Sequence, residues 1–312
     1  MAFRDQIVCV KAEATSGTAE TLAGSDAIQV GAFTPTVQDV TVLERTVLGP
    51  RPGPVKAAAM VERKIGFEIP FEFAGSGTAG TAGGVDKLLL MAGFNKAIVA
   101  STSVTYSLAW PAPSTTYTVA SFIDGQRYMG VGCRASSFKI SAQAGGFLEA
   151  SATIMGIYQV PSDTANLTPT FPAQANPVAF NSAGLTAGTV TLGGVAVCVA
   201  EYEVEVANTT QFYDYAGCTP EVAIQDRTVT GSITIAATAL ATYNPFTAAT
   251  ASTLGALIIP VNGGAGNIVT LNHPSIQFGA IEVVDLDGKR GYKVPFTQVA
   301  SAANQEFNIV MT

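Results

Sequence analysis

The sequence predicts a mainly β protein in which one structural unit is written twice. Three observations carry that expectation. Stretches of strict apolar–polar alternation recur along the chain, helix signals are few and short, and a set of landmarks returns about 164 residues later in the same order. Composition agrees. Of the 312 residues 48% are hydrophobic and only 12% charged, so the chain can bury a large core and leaves some apolar surface for contact with other subunits. Threonine, valine, alanine and glycine fill whole stretches, and Thr with Val favours a pleated, half-buried surface.

The first clear element is "KIGFEIPFEF". Ile65, Phe67, Ile69, Phe71 and Phe73 fall on one face, with Gly66, Glu68, Pro70 and Glu72 on the other. Period two marks a strand with one wet face, and Pro70, which donates no ladder hydrogen bond, places it at an edge or bulge. "GGVDKLLLMAGF" (83–94) follows as a short helix burying Leu88, Leu89 and Met91 and stopped by Gly93. "SFIDGQRYMG" contains Asp124-Gly125, a pair that tolerates the positive φ angles of a tight hairpin. Residues 160–180 carry Pro161, Pro169, Pro172 and Pro177 with no sustained period and read as a linker. The chain therefore divides into 1–160, a linker at 161–180, and 181–312.

The second part repeats the plan. "EYEVEV" sets Tyr202, Val204 and Val206 against Glu201, Glu203 and Glu205, and "TVTGSITIAAT" alternates in the same way. "TAATASTLGALI" (247–258) is a weaker helix. Glu62-Arg63 maps onto Asp226-Arg227, the loop 44–55 onto 208–219, helix onto helix, and Asp124-Gly-x-Arg onto Asp287-Gly-x-Arg. Together these suggest a duplicated β-β-α-β-β unit.

Candidate chemistry is thin. Gly75-x-Gly77-x-x-Gly80 has the outline of a dinucleotide loop, but its preceding strand alternates, whereas a doubly wound parallel strand is apolar on both faces, and no acidic residue follows for a ribose. His273, the only histidine, has no serine on a nucleophile elbow, and Pro274 follows it directly. Asp285 and Asp287 lack the remaining ligands of a calcium loop. The expectation is no catalytic residue, no cofactor and no metal. Four scattered cysteines, Cys9, Cys133, Cys198 and Cys218, read as buried thiols of a reducing compartment. The N-terminal stretch does not read as a signal peptide, and no window is apolar for 18 residues, so no membrane role is expected. The net charge of −7 excludes a basic nucleic-acid footprint.

The ordered set from "ERTVLGPRPGPV" through "KIGFEIPFEF", "GSGTAGTAGG", "LLLMAGF" and "FIDGQR" to "GIYQV" resembles the major tail tube proteins of long-tailed, non-contractile bacteriophages, over most of residues 30–163. "DRTVTGSITI" and "DLDGKRGYKVPF" extend a looser likeness into the second part. The resemblance implies two tandem tail-tube-like β-sandwich or partial-barrel domains, each with a short flanking α-helix. It implies rings whose subunits join strands into a continuous inner barrel, stacked into a tube through which DNA leaves.

On that footing Glu68, Glu72, Glu201, Glu203 and Glu205 are candidates to face the lumen, where carboxylates repel phosphates and leave DNA free to move. Pro50, Arg51, Pro52 and Pro54 on one loop, and Phe212, Tyr213 and Tyr215 on its counterpart, are candidates for contacts between stacked rings. Partners expected are further copies of the chain, in a ring of three with pseudo-six-fold symmetry or alternatively of six, together with tape measure, tail tip and terminator proteins and viral DNA in transit. The expected location is the virion tail, assembled in the host cytoplasm. The competing readings are another virion β protein, such as a terminator or capsid-associated protein, or a surface adhesin or carbohydrate-binding module.

Overall fold

The computed structural model describes residues 6–45, 56–186, 189–300, 304 and 306–312. The first part runs β1 (Gln6–Ala12), a 3-10 turn (Gly24–Asp26), β2 (Ala27–Ile28), β3 (Thr36–Arg45), β4 (Lys56–Glu72), α1 (Asp86–Met91), β5 (Phe94–Val99), β6 (Ser103–Leu108), β7 (Tyr117–Ile123), β8 (Gln126–Gln143) and β9 (Leu148–Tyr158). Three short strands follow: β10 (Ser162–Asp163), β11 (Thr191–Leu192) and β12 (Val195–Ala196). The rest is β13 (Val199–Tyr213), β14 (Glu221–Ala236), α2 (Pro245–Thr250), β15 (Gly255–Asn262), β16 (Ile268–Phe278), β17 (Glu282–Leu286), β18 (Lys289–Gln298) and β19 (Asn308–Met311). The protein is mainly β, as the alternation predicts, and the strands do not close into a barrel.

Two layers pack face to face. One is an antiparallel sheet in the order β3–β4–β9–β8–β13–β14–β18–β17. The other runs β5–β6–β19–β16–β15–β11–β12. A smaller ladder of β2, β1 and β7 joins the N-terminal end of β8. The residues that alternate as apolar in β4, β8, β13, β14 and β18 all turn inward. Phe67, Ile69, Phe138, Ile140, Tyr202, Val204, Ile233 and Val294 belong to one continuous core with Leu88 and Leu89 of α1. Such burial contributes about 25 cal/mol per Å² of apolar surface, which makes the inward face the main source of stability.

Both parts of the chain share the larger sheet. Glu201–Ala207 of β13 pair with Ser137–Gln143 of β8, and β19 inserts between β16 and β6 in the other layer. Residues 161–180 hold only the two-residue β10, yet are pinned along their length. Thr164 N–H donates to Gly125 O, Thr170 N–H to Gly24 O, Ala175 N–H to Gly75 O and Phe180 N–H to Gly146 O. Leu167 packs on a second small core of Ile7, Cys9, Ala120, Phe122 and Met129.

The two Asp-Gly turns have the same local form: φ is 49° and 80° at Asp124 and Gly125, and 52° and 82° at Asp287 and Gly288. Their places differ. β18, which leaves the second turn, lies beside β14, whereas the strand beside β4 is β9 and not β8. The repeated tetrapeptide reports a hairpin that needs positive φ at two successive residues, and its position in the sheet follows from other contacts.

An acidic sheet face and two open edges

The candidate site is built by the pleat. In a strand, successive side chains point to opposite faces, so burying Phe67, Ile69, Phe71 and Phe73 turns Glu68 and Glu72 outward. Tyr202, Val204 and Val206 do the same for Glu201, Glu203 and Glu205. Cross-strand registers place both sets on one face, with β9 and β8 between them. One row across the sheet reads Glu72, Glu149, Ser141, Glu203 and Ser232; the next reads Pro70, Ser151, Lys139, Glu205 and Thr230. A third continues Gln143, Glu201, Thr234, Lys293 and Glu282.

Glu149 and Glu282 were not among the residues expected on this face. Glu149 lies in a strand that alternates from Leu148 to Ile154, but its place opposite Glu72 is set by pairing with the distant β4; Glu282 lies in the short β17 and reaches the face through β18. Two lysines moderate the charge. Lys139 Nζ lies 3.0 Å from Glu203 Oε1, with both side chains about half exposed, and Lys293 stands directly opposite Glu282. An exposed pair of this kind contributes little to stability, so the face remains dominated by carboxylates. A groove of about 430 Å³ lies along it between Ser141, Glu149, Glu203 and Lys293.

The sheet is open at both ends. Among the described residues β3 pairs only with β4, and β17 only with β18. Exposed Val42, Leu43 and Met60 on the first hairpin and Val283 on β17 accompany these unpaired backbone edges. An unpaired edge is a template for another strand.

The loop candidates divide. Pro50, Arg51, Pro52 and Pro54 lie outside the described residues. On the β13–β14 hairpin, Tyr215 is exposed and its ring lies 5.5 Å from that of Tyr213. Phe212 is instead buried, with the Lys64 ammonium 5.9 Å from its ring centre. Asn208 at the base of the hairpin donates through Nδ2 to the carbonyls of Ala92 and Ala135, both at 3.0 Å, and so ties β13 to the end of α1.

His273 is wholly buried in the core on β16. Its ring stacks on Phe307 at 4.5 Å. Gln298 Nε2 donates to Ser275 O, which turns Gln298 Oε1 toward the imidazole; Nδ1 therefore donates to it, and Nε2 accepts from the Tyr202 hydroxyl at 2.7 Å. Burial lowers the His273 pKa from 6.5 to about 4. The folded protein then binds fewer protons than the unfolded chain between these values. Stability from this group is complete above about pH 6.5 and falls away as the pH drops toward 4, by about 3 kcal/mol in all. Denaturant melts across that range should show the slope in the native protein and a flatter profile in His273→Gln; equal slopes would show that His273 is not its source.

Cys9 and Cys133 are buried, while Cys198 and Cys218 are exposed, against the expectation of four buried thiols. Burial in the core pushes the Cys9 thiol up to about 11. Among the described residues no group of three or more His, Cys, Asp or Glu could hold a metal ion, and no helix is long and apolar enough to cross a membrane.

A family model described as phage tail tube protein matches residues 4–301 of the chain. No curated protein shows a significant match.

Proposed function

The chain belongs to the phage tail tube protein family, and from that premise we propose that three copies form each ring of a long-tailed, non-contractile phage's tube. The protein is a structural component of the virion tail, and its family implies self-assembly and contact with other tail proteins. The finer reading has each chain supply two tube units, so that the ring has pseudo-six-fold symmetry. Tape measure, tail tip and terminator proteins complete the tail, assembly takes place in the host cytoplasm, and DNA moves along the carboxylate face without being held.

One observation carries this reading: the second part of the chain continues the first part's sheet, with the acidic face unbroken across β8 and β13. A decoration domain outside the tube would have no cause to extend that face. The element order supports duplication as well. β3, β4, α1, β5 and β6 are followed by β7 to β9, and β13, β14, α2, β15 and β16 by β17 to β19. Open edges at β3 and β17 then join chain to chain by the same kind of pairing that joins β8 to β13.

Electron microscopy of the purified protein tests the proposal. Tubes whose rings resolve into three chains are the expected result. Rings of six chains would assign the second part to another place, and a protein that stays monomeric under all assembly conditions would remove the reading altogether.

A further inference from the structure

Resting on the ring reading above, we infer that Arg63 is the anchor by which one copy grips the next. The long hairpins β3–β4 and β13–β14 leave the sheet at matching points. β4 gains β9 as a second neighbour from Lys64 onward, and β14 gains β18 from Thr230 onward. Arg63 stands one residue and Arg227 three residues before those points, each two residues ahead of an inward residue of the main core, Ile65 and Val229. Both arginines thus lie on the core face of the pleat, beyond the packed layer.

Arg227 shows what an arginine does there. Its side chain is only 5% exposed and crosses from the second part of the chain into the first. Nη1 donates to the carbonyl of Ala109, the guanidinium lies 5.8 Å from the Trp110 ring centre, and Glu306 Oε2 accepts from Nε at 2.7 Å. Three kinds of contact therefore tie β14 of the second part to the loop after β6 in the first part and to Glu306 before β19.

Arg63 has none of these. It is exposed and has no hydrogen-bond or ion-pair partner among the described residues. It also stands beside β3, the open edge. The loop after β6 receives Arg227; the corresponding loop after β16, residues 279–281, stands beside β17, the other open edge. One chain thus presents an unpartnered arginine at one edge and, at the other, a loop that borders an open groove with the rings of Phe246 and Phe278. The occupant that satisfies both, and leaves neither over when the ring closes, is a second copy of this chain. Arginine suits the task because its planar fork satisfies carbonyls and stacks on rings at once.

The test compares Arg63→Glu and Arg63→Ala with Arg227→Ala in the full-length protein. Assembly is read by sedimentation and electron microscopy, and folding by thermal melting of the dispersed chain. The expected result is that Arg63→Glu cuts assembly by about tenfold or more with the melting temperature unchanged, as for a desolvated interface arginine. Arg227→Ala should instead lower the melting temperature. Tubes of three-chain rings formed equally well by Arg63→Glu would overturn the anchor and leave the ring reading standing. A lower melting temperature in both Arg63 variants would give Arg63 a place inside the folded chain and overturn the anchor too. Failure of the native protein to form three-chain rings would overturn the ring reading, and the anchor with it.

Discussion

Replacing Glu68 and Glu72 by lysine is expected to slow DNA ejection by about tenfold at low salt while tubes still assemble. The acidic face of one chain carries Glu68, Glu72, Glu149, Glu201, Glu203, Glu205 and Glu282 against Lys139 and Lys293. The double reversal removes two carboxylates and adds two ammonium groups in every chain, so a long tube gains a ladder of phosphate-binding points. Each phosphate neutralised releases counterions, and so the delay should shrink as salt rises. Both residues are exposed and outside the core, so neither change should affect folding. Ejection from purified particles, followed by dye binding to released DNA over a range of salt concentrations, measures the effect. Kinetics equal to those of the native tail at every salt concentration would show that this face does not line the path.

The second large effect is expected at Phe138. This ring lies 6.0 Å from Phe71, 6.3 Å from Phe73 and 5.9 Å from Phe94, so it joins β8 to β4 and to the second layer. Its backbone neighbour across the seam is Val206. Phe138→Ala removes a buried ring that close packing cannot replace, at about 3–5 kcal/mol. Because one core runs through both parts of the chain, the loss should appear as a shift of a single cooperative transition. Two separate transitions, with only one displaced, would mean that the parts unfold independently.

What the sequence made legible was local and periodic. The inward residues of β4, β13 and β14 were readable because a half-buried strand writes its burial as strict alternation. The helix 83–94 was readable from Leu88, Leu89 and Met91 with Gly93 behind them, although only Asp86–Met91 form regular helix. The hairpins at Asp124 and Asp287 were readable from the chemistry of positive φ. Pairing was not readable, since it depends on contacts between residues far apart in the chain. Nothing in "LEASATIMGIY" says that it lies beside β4 and brings Glu149 opposite Glu72.

A closer echo than the Asp-Gly turns runs between two other strands. Lys64-Ile65-Gly66-Phe67-Glu68-Ile69-Pro70-Phe71 is matched by Lys289-Arg290-Gly291-Tyr292-Lys293-Val294-Pro295-Phe296. These segments lie in β4 and β18, each second from an open edge. In both, the proline carbonyl accepts from a glycine N–H, Gly31 or Gly279, at 2.7 Å. A proline there withholds one donor from the ladder, and a glycine that can approach closely satisfies the carbonyl left beside it.

The position of β19 sets a clock on biosynthesis. β6 is complete by Leu108, yet one of its two neighbours is a strand that begins at Asn308. Throughout the intervening two hundred residues the nascent chain carries β6 without that neighbour. The second layer is therefore complete only when β19 slots between β6 and β16, so the last strand made is the one that joins the first part's share of that layer to the second's.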